Sequence, residues 1–257
     1  MLQINKIYNE NCLNTMERMP DNFIDLTVTS PPYDNLRTYK GYSFDFESVA
    51  KELFRVTKTG GVVVWIVGDQ TVNGSESGTS FKQALYFKEI GFNLHDTMIY
   101  RKQNYTPLTH NRYEQEFEYM FIFSKGKLIT FNPIKVQCKY AGQETWGKPN
   151  MYKDNSGDLT RVKKTIINSH KIKGNIFEYL VGSTQTGNIK HPAMFPEKLA
   201  KDHITSWSNP GHLVYDPFIG SGTTAKMALI NGRSFIGSEI SSEYCEVANR
   251  RIAEFMP

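Results

Sequence analysis

The spacing of apolar residues along this chain switches between two periods. Ile24, Leu26 and Val28 alternate with Asp25, Thr27 and Thr29, which predicts a strand running into the rigid turn Pro31-Pro32. Phe46, Val49, Ala50 and Leu53 follow at helical spacing, with a stop expected before Gly60-Gly61. The unbroken run Val62-Val63-Val64-Trp65-Ile66-Val67 predicts a strand buried on both faces. The polar stretch 68–80 reads as a loop, and Phe81, Ala84, Leu85 and Ile90 as a helix ended by Gly91. Two more strands are predicted near 93–100 and 118–123.

Residues 125–190 lose this rhythm. They are rich in Lys, Asn, Gly and Thr, with Phe131, Tyr140, Trp146, Tyr152, Phe177 and Tyr179 interspersed. A structureless loop of that length is rare inside a compact domain, so the segment reads as a small separate module. Regular spacing then resumes. A helix is predicted at 197–206, a strand at 213–215, a helix from Thr223, a strand at 234–240 and a last helix at 243–255. Strands alternating with helices predict an α/β fold built on an open, mostly parallel, Rossmann-like sheet covered on both faces.

Composition narrows the class. The 257 residues are 39% hydrophobic and 13% aromatic, enough for one large domain carrying an insert. No apolar run reaches the ~18 residues a membrane helix needs, and the N-terminus lacks a signal layout, so a cytoplasmic protein without membrane contact is expected. Cys12, Cys138 and Cys245 form no CxxC pair, so neither a metal site nor a disulfide framework is indicated. The net charge is only +4, yet 125–190 holds twelve Lys and Arg against four acids. That puts +8 on the module and −4 on the rest, as in a polyanion-binding insert or, more plainly, a solvated surface loop.

Two motifs carry the chemistry. Asp216-Pro217-Phe218-Ile219-Gly220-Ser221-Gly222-Thr223-Thr224 ends a strand and opens a helix, the place where open α/β sheets bind ligands. Gly220 and Gly222 permit a tight turn and close backbone approach. Glu239 closes the next strand, where an acid can take two ribose hydroxyls. Residues 220–225 also fit the dinucleotide fingerprint, but few residues follow Glu239 to build a nicotinamide half, which weakens an NAD-dependent oxidoreductase. The second motif is Thr29-Ser30-Pro31-Pro32-Tyr33. An exocyclic base amine is planar and a poor nucleophile. Acceptors fixed at one spot, the Ser30 hydroxyl and the Pro31 carbonyl, can take both its N–H bonds and aim the nitrogen lone pair. Pro31 and Pro32 lock φ, and Tyr33 offers a stacking ring.

These motifs together resemble the beta class of DNA amino-methyltransferases. The resemblance runs through His191-Pro192, Glu197-Lys198-Leu199-Ala200, the loop from Asp216, and Gly237-Ser238-Glu239-Ile240-Ser241 with Tyr244. The stretches 55–61 and 118–125 match as well. It implies a circularly permuted methyltransferase sheet: a catalytic half at 1–124, a target-recognition module at 125–190 and a cofactor half at 191–257. It implies S-adenosylmethionine as cofactor, with Ser30, Pro31, Pro32 and Tyr33 catalytic. Phe218, Gly220, Gly222 and Thr223 would line its methionine and adenosine parts, and Glu239 its ribose; Asn11, Thr29, Lys198, Asp216, Ser221 and Ile240 complete the implied set. The family often has Gly-Asp before its first helix, where Glu10-Asn11 stands here. Double-stranded DNA is the implied partner, in the setting of restriction-modification, and a homodimer is left open. Lys135, Lys139, Lys148, Arg161, Lys163, Lys164, Lys171 and Lys173 are the candidate phosphate contacts. Ser30 resembles the N4-cytosine enzymes, whereas N6-adenine enzymes more often carry Asp or Asn; both bases stay open. A nucleic-acid binding protein without catalysis is the remaining alternative.

Overall fold

A computed structural model describes residues 2–32, 44–105, 111–144, 151–153, 155–161, 165–181 and 196–256, without the side chains of 151–153 and 159–161. In chain order the first elements are β1 (Lys6–Tyr8), α1 (Cys12–Glu17), β2 (Ile24–Thr29), α2 (Phe46–Val56) and β3 (Thr57–Val67). A short hairpin, β4 (Thr71–Val72) and β5 (Ser75–Glu76), precedes α3 (Thr79–Glu89), β6 (Asn93–Lys102) and β7 (Phe117–Ser124). Then come β8 (Lys135–Gln137), β9 (Met151–Lys153), β10 (Leu159–Arg161), β11 (His170–Ile172) and β12 (Ile176–Tyr179). The chain closes with α4 (Glu197–Trp207), β13 (Leu213–Asp216), α5 (Thr223–Ile230), β14 (Ser234–Ser238) and α6 (Ser242–Ile252). Among the described residues no helix is long and apolar enough to cross a membrane.

Contacts divide the chain into a larger unit, residues 1–132 with 175–257, and a smaller one, Pro133–Gly174. Among the described residues the larger unit is built on an eight-stranded sheet in the order β1-β14-β13-β2-β3-β7-β6-β12. Strands β1, β14, β13, β2 and β3 are parallel, β7 is antiparallel to both neighbours, and β12 runs parallel to β6. The chain's first strand therefore lies beside β14, in the position that would follow α6 in an unpermuted sheet. This is the circular permutation expected from the order of motifs.

The central strands are apolar because both faces are covered. Leu26, Val28, Val63, Val64, Trp65 and Ile66 are all fully buried. The pairing of β2 with β3 slips between Ile24 and Leu26, and Gly60-Gly61 lie in the bulge. Gly60 has φ +83°, and a Cβ there would come within 2.2 Å of Ile129, so this glycine serves the bulge as well as following the helix.

Helix α3 forms where its spacing predicts it, but Phe81 and Leu85 are 50% and 66% exposed. Its buried face carries Ser80, Gln83, Ala84 and Phe87. Gln83 accepts a buried hydrogen bond from the Trp65 indole at 2.8 Å, so a polar residue holds a core position. Phe177 and Tyr179, which the sequence places in the module, are buried in β12 at the edge of the large sheet.

Among the described residues the smaller unit holds two antiparallel ribbons, β8 with β11 and β9 with β10, plus a bridge from Glu144 to Ile166.

Candidate active site

The sheet changes direction of growth at β13. From it the chain goes through α5 to β14 on one side, while β2 continues through α2 to β3 on the other. Ligands of open α/β sheets bind in the crevice above such a point, at the carboxyl ends of the strands. The two strands that meet there end in Asp216 and Thr29. The Thr29 hydroxyl donates to Asp216 Oδ1 at 2.6 Å. Thr224, in the first turn of α5, donates to Oδ2 at 2.7 Å, and the Phe218 amide donates to Oδ1 at 3.0 Å. One buried carboxylate thus joins the residue before Ser30, the turn after β13 and the start of α5. Burial pushes the Asp216 carboxyl up to about 6, the three donors pull it back, and nearby Glu239 adds to the rise.

Glu239 follows β14 directly and is also buried. Its Oε2 accepts the Gly220 amide at 3.0 Å and its Oε1 the Ser241 amide at 2.9 Å. Burial raises its pKa above the ordinary value, against those backbone donors. The turn between is tight, with φ +51° at Gly220 and +83° at Gly222. At Gly222 an added Cβ would lie 3.0 Å from that of Ala248 in α6, so this glycine makes room for a helix. Phe218 is half-buried and held edge-on by Phe44, with ring centroids 5.3 Å apart. Ser221 and Thr223 are buried and face Arg251 of α6. Ile240 is half-buried beside Glu239.

Ser30 is half-buried, Pro31 buried and Pro32 half-buried, immediately after Thr29. Tyr33 lies outside the described residues. Asn11 caps α1, its side chain accepting the Leu13 amide at 2.9 Å. Glu10 is taken up by Thr15 and Arg18. It is Asn9 that reaches the end of β14, donating to the Glu239 carbonyl at 2.8 Å. Lys198 is exposed and paired with Asp202 at 2.8 Å. In the smaller unit Lys135, Lys139 and Lys171 are exposed and Lys173 is half-buried. Arg161 lies in β10, while Lys148, Lys163 and Lys164 fall outside the described residues.

The residues the motif reading passed over are Thr224, Asn9 and Arg251. Thr224 was legible as the last residue of the glycine motif. Nothing in the sequence sets Asn9 or Arg251 apart from other polar residues at element ends.

A permuted doubly wound sheet with a glycine turn and an acid at adjacent strand ends, joined to a Ser-Pro-Pro turn, defines the class of amino-group methyltransferases. The model of the N6/N4 family, described as DNA methylase, matches residues 24–250, and the chain belongs to that family. It is 54% identical over 250 residues to the orphan methyltransferase M.BamHII of Bacillus amyloliquefaciens, covering 93% of this chain and 92% of that protein. It is 29% identical to the type II methyltransferase M.BglII of Bacillus subtilis, over 95% of this chain and 68% of that one. Among solved structures, the cytosine-N4-specific PvuII DNA methyltransferase shares the fold with a TM-score of 0.70 at 23% identity, over 96% of this chain and 85% of that one. M1.HpyAVI, solved with S-adenosylmethionine, gives 0.65 at 22% identity, over 96% and 98%.

Proposed function

We propose that this DNA methyltransferase moves the methyl group of S-adenosylmethionine to the exocyclic amine of a base swung out of duplex DNA, with N4 of cytosine favoured over N6 of adenine. The observation that carries this reading is the buried Thr29–Asp216 hydrogen bond. It fixes the turn that begins at Ser30 against the loop that runs from Asp216 to Thr223. A methyl donor bound on one side therefore faces an amine held on the other.

The residues present fit that cofactor. The Glu239 oxygens accept the Gly220 and Ser241 amides, with the Ile240 amide also near, and a carboxylate has about four lone-pair sites, so acceptor capacity remains for ribose hydroxyls. Phe218 and Ile240 offer apolar walls beside it. The bound cofactor would supply an electrophilic methyl group, its sulfur left as a neutral thioether, while the proton given up by the nitrogen passes to solvent. The chain's own part is to make the amine nucleophilic. The Ser30 hydroxyl and the Pro31 carbonyl accept its two N–H bonds, drawing the nitrogen out of conjugation and turning its lone pair to one side. The two prolines deny the turn a relaxed alternative, and no covalent bond to the enzyme is needed.

Inside a duplex the amine is paired and out of reach, so the base leaves the stack first. Lys135, Lys139, Lys171 and Lys173 supply phosphate contacts in this reading. Ser30 favours cytosine by resemblance alone; its hydroxyl can accept from either amine. Incubating plasmid DNA with tritium-labelled cofactor and separating the nucleosides tests the proposal. Label in N4-methylcytosine is expected, label in N6-methyladenine changes the base, and label in neither sinks the reading.

A further inference from the structure

The C-terminal helix is more than a cover for the sheet. Ala248 and Arg251 stand three residues apart on α6 and so share a face. Ala248 is the small residue against Gly222. Arg251 reaches past it into the glycine loop, and its side chain is only 6% exposed. Nη1 donates to the Thr223 hydroxyl at 2.9 Å and lies 3.2 Å from both the Ser221 carbonyl and the Ser221 hydroxyl. Nη2 donates to Glu197, the first residue of α4. Lys226 of α5 shares that carboxylate at 2.9 Å. Burial raises the Glu197 carboxyl, but the hydrogen bonds and charges of Lys226 and Arg251 outweigh it and hold the group ionised below its ordinary value.

We infer that Arg251 is a positioning residue for the cofactor: its guanidinium sets the Ser221–Thr223 loop and ties it to the start of α4. The inference rests on the reading that this loop takes S-adenosylmethionine. Planarity is what suits arginine to the task. A rigid fork can serve the loop with one nitrogen and Glu197 with the other, whereas a lysine ammonium is a single point. Left unbraced, the peptide that carries the Ser221 carbonyl is held from its other end alone, by the Gly222 amide's bond to the Ile219 carbonyl at 2.8 Å, and the Ser221 and Thr223 hydroxyls lose their shared donor. The cofactor would then meet a loop that must be ordered on binding, which costs affinity and leaves the transfer step alone.

Calorimetric titration of the folded protein with S-adenosylmethionine tests this. Arg251→Ala is expected to raise the Kd at least about tenfold, and Arg251→Lys to fall between it and wild type. At saturating cofactor kcat and the KM for DNA should return close to wild type, because Arg251 touches neither base nor duplex. A merely structural residue would lower Tm and leave the Kd of the folded fraction unchanged, and that result overturns the inference. Should Arg251→Ala fail to fold, Arg251→Lys and Glu197→Gln decide: an unchanged Kd in both overturns it. Glu239→Ala is the control. If it weakens binding and the Arg251 variants do not, only this inference fails. If none of them changes the Kd, the cofactor is held elsewhere and the reading of the site fails with it.

Discussion

Thr29→Val is nearly isosteric and removes one hydroxyl from the junction of the two motifs. The bond it breaks is 2.6 Å long and buried, and its acceptor is a carboxylate. Hydrogen bonds to charged groups contribute about 1.5–3 kcal/mol, those between neutral groups about 0.5–1.5 kcal/mol. Which applies depends on pH. Burial, the largest cause, lifts Asp216 from 3.8 to about 6. The native state thus holds this proton more tightly than the unfolded chain. Stability from this group is full below the unfolded pKa and is lost as pH rises through about 6. The valine variant loses a bond that lowers the Asp216 pKa, so its loss deepens over the same window. Urea unfolding at about pH 7.5 should show the variant less stable by about 2–3 kcal/mol, shrinking to about 1 kcal/mol near pH 5. An equal deficit at both values would refute the view that an ionised Asp216 joins the two halves.

Ser30→Ala should keep cofactor affinity in calorimetry while turnover falls by about 10²–10³, the usual loss for one transition-state hydrogen-bond partner. Affinity falling in step with rate would remove Ser30 from the base side. Gly222→Ala puts a Cβ 3.0 Å from Ala248 at φ +83°. Thermal or urea unfolding should show a loss of about 2–4 kcal/mol from left-handed strain and overpacking together, and adding Ala248→Gly should recover only the overpacking share. Neutralising Lys135 and Lys171 together should flatten the dependence of log DNA affinity on log salt by up to about 2 units. An unchanged slope in a filter-binding series would make both merely solvated.

The parts of the fold legible in the sequence are those where burial is complete. Strand β3 is covered on both faces and reads as an apolar run, β2 reads by alternation although Thr27 and Thr29 are buried too, and the turns after β2 and β13 carry the prolines and glycines that mark the site. Partial burial hides the rest. Strand β12 is a four-residue edge strand in which only Phe177 and Tyr179 point inward, within a stretch dominated by Lys and Asn. On α3 the apolar residues Phe81 and Leu85 are exposed, while Gln83 on the inner face answers the Trp65 indole. Side-chain pairing hides itself in the same way. An arginine near a helix end reads as solvated, and only the fold reveals Ser221, Thr223 and Glu197 around Arg251.

The two motifs are 187 residues apart, yet one hydrogen bond joins them. That separation has a consequence for how the site comes to exist. Strands β2 and β13 pair directly, Val214 with Leu26 and Tyr215 with Thr27, and neither is followed in the chain by the other. Nothing local can therefore assemble the Ser30 turn next to the glycine loop; the loop-closure entropy has to be met by the whole buried sheet. Asp216 makes the pairing specific, since its charge is tolerable in the core only with the Thr29 and Thr224 hydroxyls and the Phe218 amide in place. A chain in which β2 has not met β13 has an Asp216 that lacks its Thr29 donor on one side and an unanchored Ser30 turn on the other. The Ser30 turn and the glycine loop are thus brought together in a single step, and a permutation that reverses their order along the chain leaves that step unchanged.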